Sequence, residues 1–426
     1  MRRHLNLRRL FGPEREKHVT ETSTQPRNIV CLASYFKGAE FIRECKRQNC
    51  RVFLITKDKW RGEGWPHESI DEFHLVPDEA APDDFIHLVA QIARRHKLAR
   101  VVALEEFDVT TAGLIREHLR VPGMTSSAAR LFRDKLSMRD TAQAAAVNVP
   151  DFVHVLNYEE LGAFMQRVPA PWVLKPRTDV SAIGIKKLHD SEQVWRAIDA
   201  LDARERSNER SSFYLLERFI AGDVYHVDSI VSGGKVLFAG VNIYGRPPMN
   251  VAHEGGVFIS YSLERKTRER RKLLQLNRQV IKSLGLRRGA THAEFIRSAD
   301  DGKFYFLEIA ARVGGAYIAE TLEAASGLNL WREWAKLELS DAARPYEPQP
   351  LREEYGGIVL SLARQEWPDT ANYTDREIVY RVRKAHHVGL VVRSPNQARV
   401  RALLDDYARR FAAEFSAIAP PLERAV

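Results

Sequence analysis

Cysteine is scarce in this chain of 426 residues, which has only Cys31, Cys45 and Cys50. Three cysteines cannot form an even disulfide framework, and their spacing is not that of a zinc site. We therefore expect buried free thiols in a reducing cytoplasm.

Long apolar runs are missing as well. No uninterrupted stretch approaches the ~20 residues that a membrane-spanning helix requires. The N-terminus lacks the apolar core of a secretory signal, and Glu14 and Glu16 are atypical of a transit peptide. With 44% hydrophobic and 28% charged residues, the composition is that of an ordinary globular protein. We expect a cytoplasmic protein of two or three domains, preceded by a basic, disordered tail over residues 1–26.

Acidic residues are outnumbered by basic ones, which gives a net charge of +9. Such an excess suits nucleic acid, an anionic membrane or small anionic substrates. The basic run at residues 265–272 opens a segment in which apolar residues recur at helical spacing, so we interpret it as the solvated face of a helix. We therefore predict neither a nucleic-acid nor a membrane partner.

Residues 27–124 alternate between strand-like and helix-like patterns. The predicted strands are 28–34, 51–56 and 100–104, and the predicted helices are 38–48 and 83–96. Strands that alternate with helices predict a parallel, Rossmann-like α/β domain. The turn after the first strand is not a G-x-G-x-x-G motif, so nothing here indicates dinucleotide binding.

Longer strands are typical of residues 125–340, and a C-terminal α/β subdomain is predicted for residues 341–426. The turn Asp300-Asp301-Gly302 between two of the strands is a strong hairpin signal. The main predicted elements are helices at 126–146, 263–284 and 397–415 and strands at 213–220, 224–232, 236–244, 290–297, 303–313, 358–363, 378–382 and 388–392.

Two lysines of the central region are candidates for phosphate contacts. Lys135 stands at the start of a helix, although taken alone it is better explained as an ordinary surface residue. Lys175 ends the strand Trp172-Val173-Leu174, where a point charge could neutralise polyphosphate. The loop at 177–184, which contains Ser181, could cover phosphates with backbone N–H groups.

A possible strand edge follows at Glu217-Arg218-Phe219-Ile220. Exposed backbone groups at such an edge could pair with an adenine, and Asp223 could hold ribose hydroxyls. The alternative is an edge strand with ordinary surface charges.

Two acidic residues stand inside apolar strands, which is the most specific signal in the sequence. Glu294 lies in Ala293-Glu294-Phe295, and Glu308 lies in Leu307-Glu308-Ile309. A carboxylate in such a place needs a cationic partner, and carboxylates from adjacent strands suit Mg²⁺. Alternation along the second strand puts Arg312 on the face of Glu308, so a buried Glu308–Arg312 ion pair is the alternative.

The order of these residues resembles that of the ATP-grasp superfamily, and the L-amino-acid ligase (carboxylate–amine ligase) branch in particular. The resemblance covers residues 122–339, and it rests on Lys135, Lys175, Glu217–Ile220, Glu294 and Glu308-Ile309-Ala310-Ala311-Arg312-Val313-Gly314-Gly315. It implies an ATP-grasp fold, in which two α+β subdomains clamp ATP. This fold would follow the Rossmann-like domain in the sequence. It also implies an enzyme that activates a carboxylate as an acyl phosphate, releases ADP and phosphate, and couples the acyl group to an amine, with a homodimer as a possible assembly.

The same resemblance implies roles for individual residues. Glu294 and Glu308 would bind Mg²⁺, or Mn²⁺ in its place, and Arg312 with Lys175 would act in catalysis. Substrate contacts would come from Glu254, Arg312, Gly314 and Gly315. ATP contacts would come from Lys135, Lys175, Ser181, Glu217, Arg218, Phe219, Ile220, Asp223 and His292.

One position departs from the superfamily pattern. Many members have Asn two residues after the second metal-binding Glu, whereas this chain has Ala310. Mg²⁺ tolerates water in place of a protein ligand, so we still expect an active ligase. A biotin-carboxylase-like enzyme that activates bicarbonate and a non-catalytic ATP-binding protein are the alternatives.

Overall fold

The computed structural model describes residues 26–180, 183–204, 210–342 and 344–417. The expected N-terminal tail lies outside them. All three cysteines are buried and free, as expected. Among the helices described, none has both the length and the apolar character to cross a membrane.

A four-stranded parallel sheet forms the N-terminal part, as the alternating pattern predicts. Its strand order is β3-β2-β1-β4, and the strand β3 is an addition that the sequence analysis did not predict. The elements are β1 (Arg27–Ala33), α1 (Ala39–Arg47), β2 (Cys50–Lys57), β3 (Glu72–Val76), α2 (Pro82–Ala93), β4 (Leu98–Ala103) and α3 (Val109–Leu119).

A second sheet, of order β5-β8-β6-β7, has antiparallel pairs throughout. The helix expected at 126–146 is two helices, because Asp134 interrupts it and caps the second one by accepting from the N–H of Leu136 at 3.0 Å. The elements are α4 (Ser126–Arg130), α5 (Lys135–Ala144), β5 (Phe152–His154), α6 (Tyr158–Arg167), β6 (Trp172–Pro176), β7 (Lys186–Leu188), α7 (Ser191–Asp202) and β8 (Tyr214–Arg218).

The remaining strands form one eight-stranded sheet, of order β13-β12-β9-β10-β11-β14-β16-β15. The elements are β9 (Gly222–Ser232), β10 (Lys235–Tyr244), α8 (Pro248–Glu254), β11 (Phe258–Ser262), α9 (Arg268–Ser283), β12 (Arg288–Ser298), β13 (Phe304–Ala310), α10 (Ile318–Ser326), α11 (Leu330–Leu339), β14 (Tyr355–Leu362), β15 (Ile378–Arg381), β16 (His387–Ser394) and α12 (Gln397–Glu414).

The C-terminal strands do not form a sheet of their own. The unpredicted strand β11 pairs with both β10 and β14, for example through Phe258 opposite Leu360. The eight-stranded sheet therefore continues across the expected domain boundary between residues 340 and 341. The N-terminal part packs on the same sheet, where α1 contacts α11 and the rings of Phe41 and Trp334 lie 5.2 Å apart.

Candidate active site

A cavity of about 540 Å³ lies between the second sheet and the eight-stranded sheet, and one loop of the N-terminal part reaches it through Lys37. It collects side chains that are far apart in the sequence. The predicted residues that line it are Lys135, Lys175, Glu217, Arg218, Phe219, Ile220, His292, Glu294, Glu308, Arg312 and Gly315.

Three other predicted residues, all among those that the structure describes, do not belong to this set. Asp223 is exposed and does not line the cavity, whereas its neighbours Gly222 and Val224 do, because alternation along β9 turns Asp223 to the other face. Ser181 lies outside the described residues.

Glu254 and Gly314 also lie away from the cavity wall. Glu254 ends α8 as an exposed residue, where it pairs with Arg246 and accepts from Asn250 at 2.8 Å. Gly314 is buried behind the wall.

Lys175 and Glu217 form a buried ion pair at the end of β6. Glu217 Oε1 accepts from Lys175 Nζ, and Oε2 accepts from Arg139 at 2.9 and 3.1 Å. Burial and the nearby Arg139 lower the pKa of Lys175 to about 8. Burial opposes ionisation of Glu217, but the two cations keep its pKa below the usual value. The Glu217 carboxylate is thus a counterion for Lys175, and the adenine contact of residues 217–220 stays a prediction.

Lys135 is held at the cavity between a backbone carbonyl group and a carboxylate. Its position at the first turn of α5 follows from the Asp134 cap. Its buried Nζ donates to the carbonyl of Asp179 at 2.6 Å and lies 3.2 Å from Glu308 Oε2. Lys135 is therefore a buried cation at the cavity, and its interpretation as an ordinary surface residue is wrong.

Glu294 and Glu308 are direct partners across β12 and β13, as the hairpin signal predicts. Glu294 Oε1 accepts from Tyr244 at 2.7 Å and lies 3.3 Å from His292 Nε2. The Glu308 side chain is 37% exposed towards the cavity.

These two carboxylates fit Mg²⁺, because they offer oxygens from adjacent strands beside space for water and phosphate ligands. Ala310 stands opposite His292 and has no side-chain oxygen to offer.

Arg312 pairs with Glu106 and not with Glu308, which corrects the predicted alternative. Its Nε and Nη2 lie 3.1 and 2.7 Å from Glu106 Oε2. The strand ends at Ala310, so alternation along β13 does not extend to Arg312, although both Arg312 and Glu308 reach the cavity. Glu106 also accepts from Arg133 at 2.7 Å. Burial opposes its ionisation, but Arg312 and Arg133 lower its pKa to about 2.

Several residues at the site were missed by sequence reasoning. Glu106 follows β4 closely, and acidic residues beyond the carboxyl end of a parallel strand are a usable signal for a site.

Asp228 carries a comparable signal, as an acid inside the apolar strand β9. It accepts from His292 Nδ1 at 2.8 Å. Although burial acts against protonation, Asp228 raises the pKa of His292 to about 10. Both ring nitrogens of His292 therefore face carboxylates, although the ring also lines the cavity as expected.

Comparison with known proteins agrees with this geometry. The family profile described as ATP-grasp domain matches residues 168–320. An L-arginine-specific L-amino acid ligase of Bacillus subtilis is 23% identical over 326 residues, which cover 73% of this chain and 76% of the relative. An alanine–anticapsin ligase of Bacillus subtilis (strain 168) is 21% identical over 62% of this chain, which spans 57% of that relative. The crystal structure of an L-amino acid ligase from Bacillus licheniformis superposes with a TM-score of 0.72 at 18% identity, covering 93% of this chain and 99% of that chain.

The family profile identifies an ATP-grasp domain at residues 168–320, and the likeness in fold extends over most of the chain. The resemblance to the L-amino-acid ligase branch is confirmed as well. The expected enzyme class, an ATP-grasp ligase that forms carbon–nitrogen bonds, agrees with the same findings.

Proposed function

We propose that the chain activates the carboxylate of an amino acid as an acyl phosphate at the expense of ATP and then joins it to the amine of a second amino acid. The observation that carries this proposal is the composition of the cavity wall. Buried lysine cations, paired carboxylates and an arginine meet in one space, and that combination suits transfer of a phosphoryl group.

The two lysines would neutralise the phosphates of ATP. Lys175 is held by Glu217 at a fixed place, and Lys135 is held by the Asp179 carbonyl. Because both ammonium groups are buried, they act in a medium where charges interact more strongly than in water. Neither would have to reorganise as charge moves onto the transferred group.

Glu294 and Glu308 would hold Mg²⁺, or Mn²⁺ in its place. Such an ion would supply positive charge that neutralises phosphate oxygens. Strand pairing places the two glutamates opposite each other, so their arrangement does not depend on the ion. We expect water to occupy the place that an Asn fills in other members, because Ala310 offers no ligand.

Arg312 would orient the substrate carboxylate that accepts the phosphoryl group. Three of its five N–H groups are engaged, by Glu106 and by the carbonyl of Val313. The remaining two can hold two oxygens at once, which a planar guanidinium does better than an ammonium. Glu106 keeps the side chain charged and in place, so the anion site is preformed.

The amino-acid substrates are inferred from the relatives, whose names give arginine, alanine and anticapsin as substrates of those proteins. The contacts with adenine, the expected homodimer and the cytoplasmic location stay predictions. We propose ATP and a divalent cation as the cofactors, and small-molecule carboxylates and amines as the only substrates.

The decisive experiment is an ADP-release screen over pairs of amino acids, starting with L-arginine, with mass spectrometry of the products. A carboxylate labelled with ¹⁸O should pass one labelled oxygen to the released phosphate, because the acyl phosphate breaks at its carbon–oxygen bond. Release of AMP and pyrophosphate would reject the acyl-phosphate route.

Two control reactions cover the alternatives. ATP turnover that needs bicarbonate and no amine would favour a bicarbonate-activating enzyme. Tight ATP binding without turnover for any pair would favour a non-catalytic nucleotide-binding protein.

A further inference from the structure

A continuous line of hydrogen bonds crosses the eight-stranded sheet behind Glu294. Ser260 Oγ lies 2.7 Å from His226 Nε2, and His226 Nδ1 lies 2.5 Å from Asp228 Oδ2. Asp228 Oδ1 then lies 2.8 Å from His292 Nδ1, whose other nitrogen lies 3.3 Å from Glu294 Oε1. We name these five residues the β9–β12 chain.

Strand pairing explains why the line is continuous. His226 stands opposite Glu294, and Asp228 stands opposite His292, in the register of β9 and β12. Residues two apart share a face of a sheet, so all four side chains point to the same side. The geometry is therefore fixed by the backbone of two central strands.

Asp228 is the centre of this chain. Its side chain has no exposed surface, and each of its oxygens accepts from a different histidine. A buried carboxylate is costly unless it is paired, and Asp228 is paired on both of its oxygens.

A hydrogen-bonded chain fits the distances better than a metal centre at His226, Asp228 and His292. Two ligands that bind one ion at ~2.1 Å in tetrahedral geometry lie ~3.4 Å apart. The observed 2.5 and 2.8 Å are hydrogen-bond distances.

The loop that carries Arg312 packs directly on the β9–β12 chain. A Cβ atom at Gly314 would lie 2.9 Å from both Asp228 Oδ1 and His292 Nδ1. Only a residue without a side chain allows this close approach. The β9–β12 chain therefore ends at Glu294, and near its middle it supports the loop that carries Arg312.

We propose that Asp228 and His292 are positioning residues, which hold the Glu294 carboxylate in the orientation that binds the divalent cation. Asp228 fixes the plane of the imidazole through Nδ1, and the imidazole presents Nε2–H to Glu294 beside the hydroxyl of Tyr244. This rests on the proposed function, since it takes Glu294 as a cation ligand. Partners of this kind are worth ~10–100-fold in metal affinity where they have been removed.

The test measures binding of Mn²⁺ to the complex of the full chain with ADP, by the loss of the free Mn²⁺ signal in electron paramagnetic resonance. Asp228→Asn and His292→Asn should each weaken Mn²⁺ binding by ~10–100-fold. His292→Asn keeps a donor near the position of Nδ1 and loses the donor near Nε2. It therefore disturbs the core packing less than removal of the whole side chain would. His292→Gln places an amide near Nε2 and should recover part of the affinity.

Ser229→Ala is the matched control. It lies next to Asp228 on β9, and it deletes a buried hydrogen bond of 2.9 Å to Asn277 on the opposite face. We expect a small loss of melting temperature and unchanged Mn²⁺ affinity. Variants of Asp228 and His292 that melt lower but bind Mn²⁺ like the natural chain would overturn the proposal.

Two further outcomes have a clear meaning. A stoichiometric metal in the purified natural chain that is lost in Asp228→Asn would overturn the proposal in favour of a buried metal centre. If the natural protein binds Mn²⁺ with ADP and the variants do not, the positioning role is supported. This holds even if no pair of substrates is turned over, in which case only the proposed function is rejected.

Discussion

Replacing Glu217 by Gln tests the buried ion pair that holds Lys175 at the cavity. The Lys175 ammonium donates to Glu217, and Arg139, which has no exposed surface, donates to its other oxygen. Gln keeps the size of the side chain and removes its charge, so two buried cations would face each other without their counterion. Removing one partner of a buried pair costs roughly 3–5 kcal/mol, and we expect the free energy of unfolding to fall by about that amount.

The same substitution should change how activity depends on pH. The pKa of Lys175 is about 8 in the natural chain, because burial and Arg139 disfavour its charged form. The charged form is the one that would bind phosphate, so kcat/KM for ATP, which reports the free enzyme, should decline as the pH rises through about 8. A hydrogen bond to a charged group is worth ~1.5–3 kcal/mol, and ~1.4 kcal/mol corresponds to one pKa unit. In Glu217→Gln the decline should therefore begin about one to two pH units lower.

The assay is steady-state ADP release between pH 5.5 and 9.5, with urea unfolding of the same preparations. Glu192→Gln is a suitable control, because it neutralises an exposed carboxylate that pairs with Arg196 on α7, and we expect it to leave the pH profile unchanged. If Glu217→Gln lowered kcat/KM by the same factor at every pH, Lys175 would not be the titrating group and the reasoning would fail.

Local pattern was sufficient for elements whose partners are near in the sequence. The strands expected at 224–232 and 236–244 are present as β9 and β10, with bounds within two residues. The placement of Glu294 and Glu308 on adjacent strands followed from two acids in apolar segments on either side of a turn, and the pairing of β12 with β13 confirms it.

Local pattern failed where the partner is distant. Arg312 and Glu106 are 206 residues apart, so no spacing rule could connect them. The strand β11 is only five residues long, and it is held by β14, almost a hundred positions further on. His292 was found only as a motif residue, because its bond to Asp228 depends on the register of β9 against β12.

Three further predictions concern the other side of the cavity. Glu308→Gln should abolish ADP release and the response to Mg²⁺ while the melting temperature stays within a few degrees, because Glu308 is partly exposed and pairs only with Lys135 among the described residues; an unchanged rate would remove it from the mechanism. Arg312→Lys should lower kcat by ~10²–10³-fold with little change in ATP binding, since lysine keeps the charge and loses the fork; a near-normal kcat would leave Arg312 as a mere counterion of Glu106. Gly314→Ala and Gly315→Ala form a matched pair, because an added methyl group meets buried polar atoms at 2.9 Å in the first and open space in the second. Overpacking of this kind costs typically ~1–3 kcal/mol, so Gly314→Ala should unfold at lower urea concentration and bind Mn²⁺ more weakly. Gly315→Ala should unfold like the natural protein, and equal urea midpoints for the two variants would show that the loop that carries Arg312 does not rest on the β9–β12 chain.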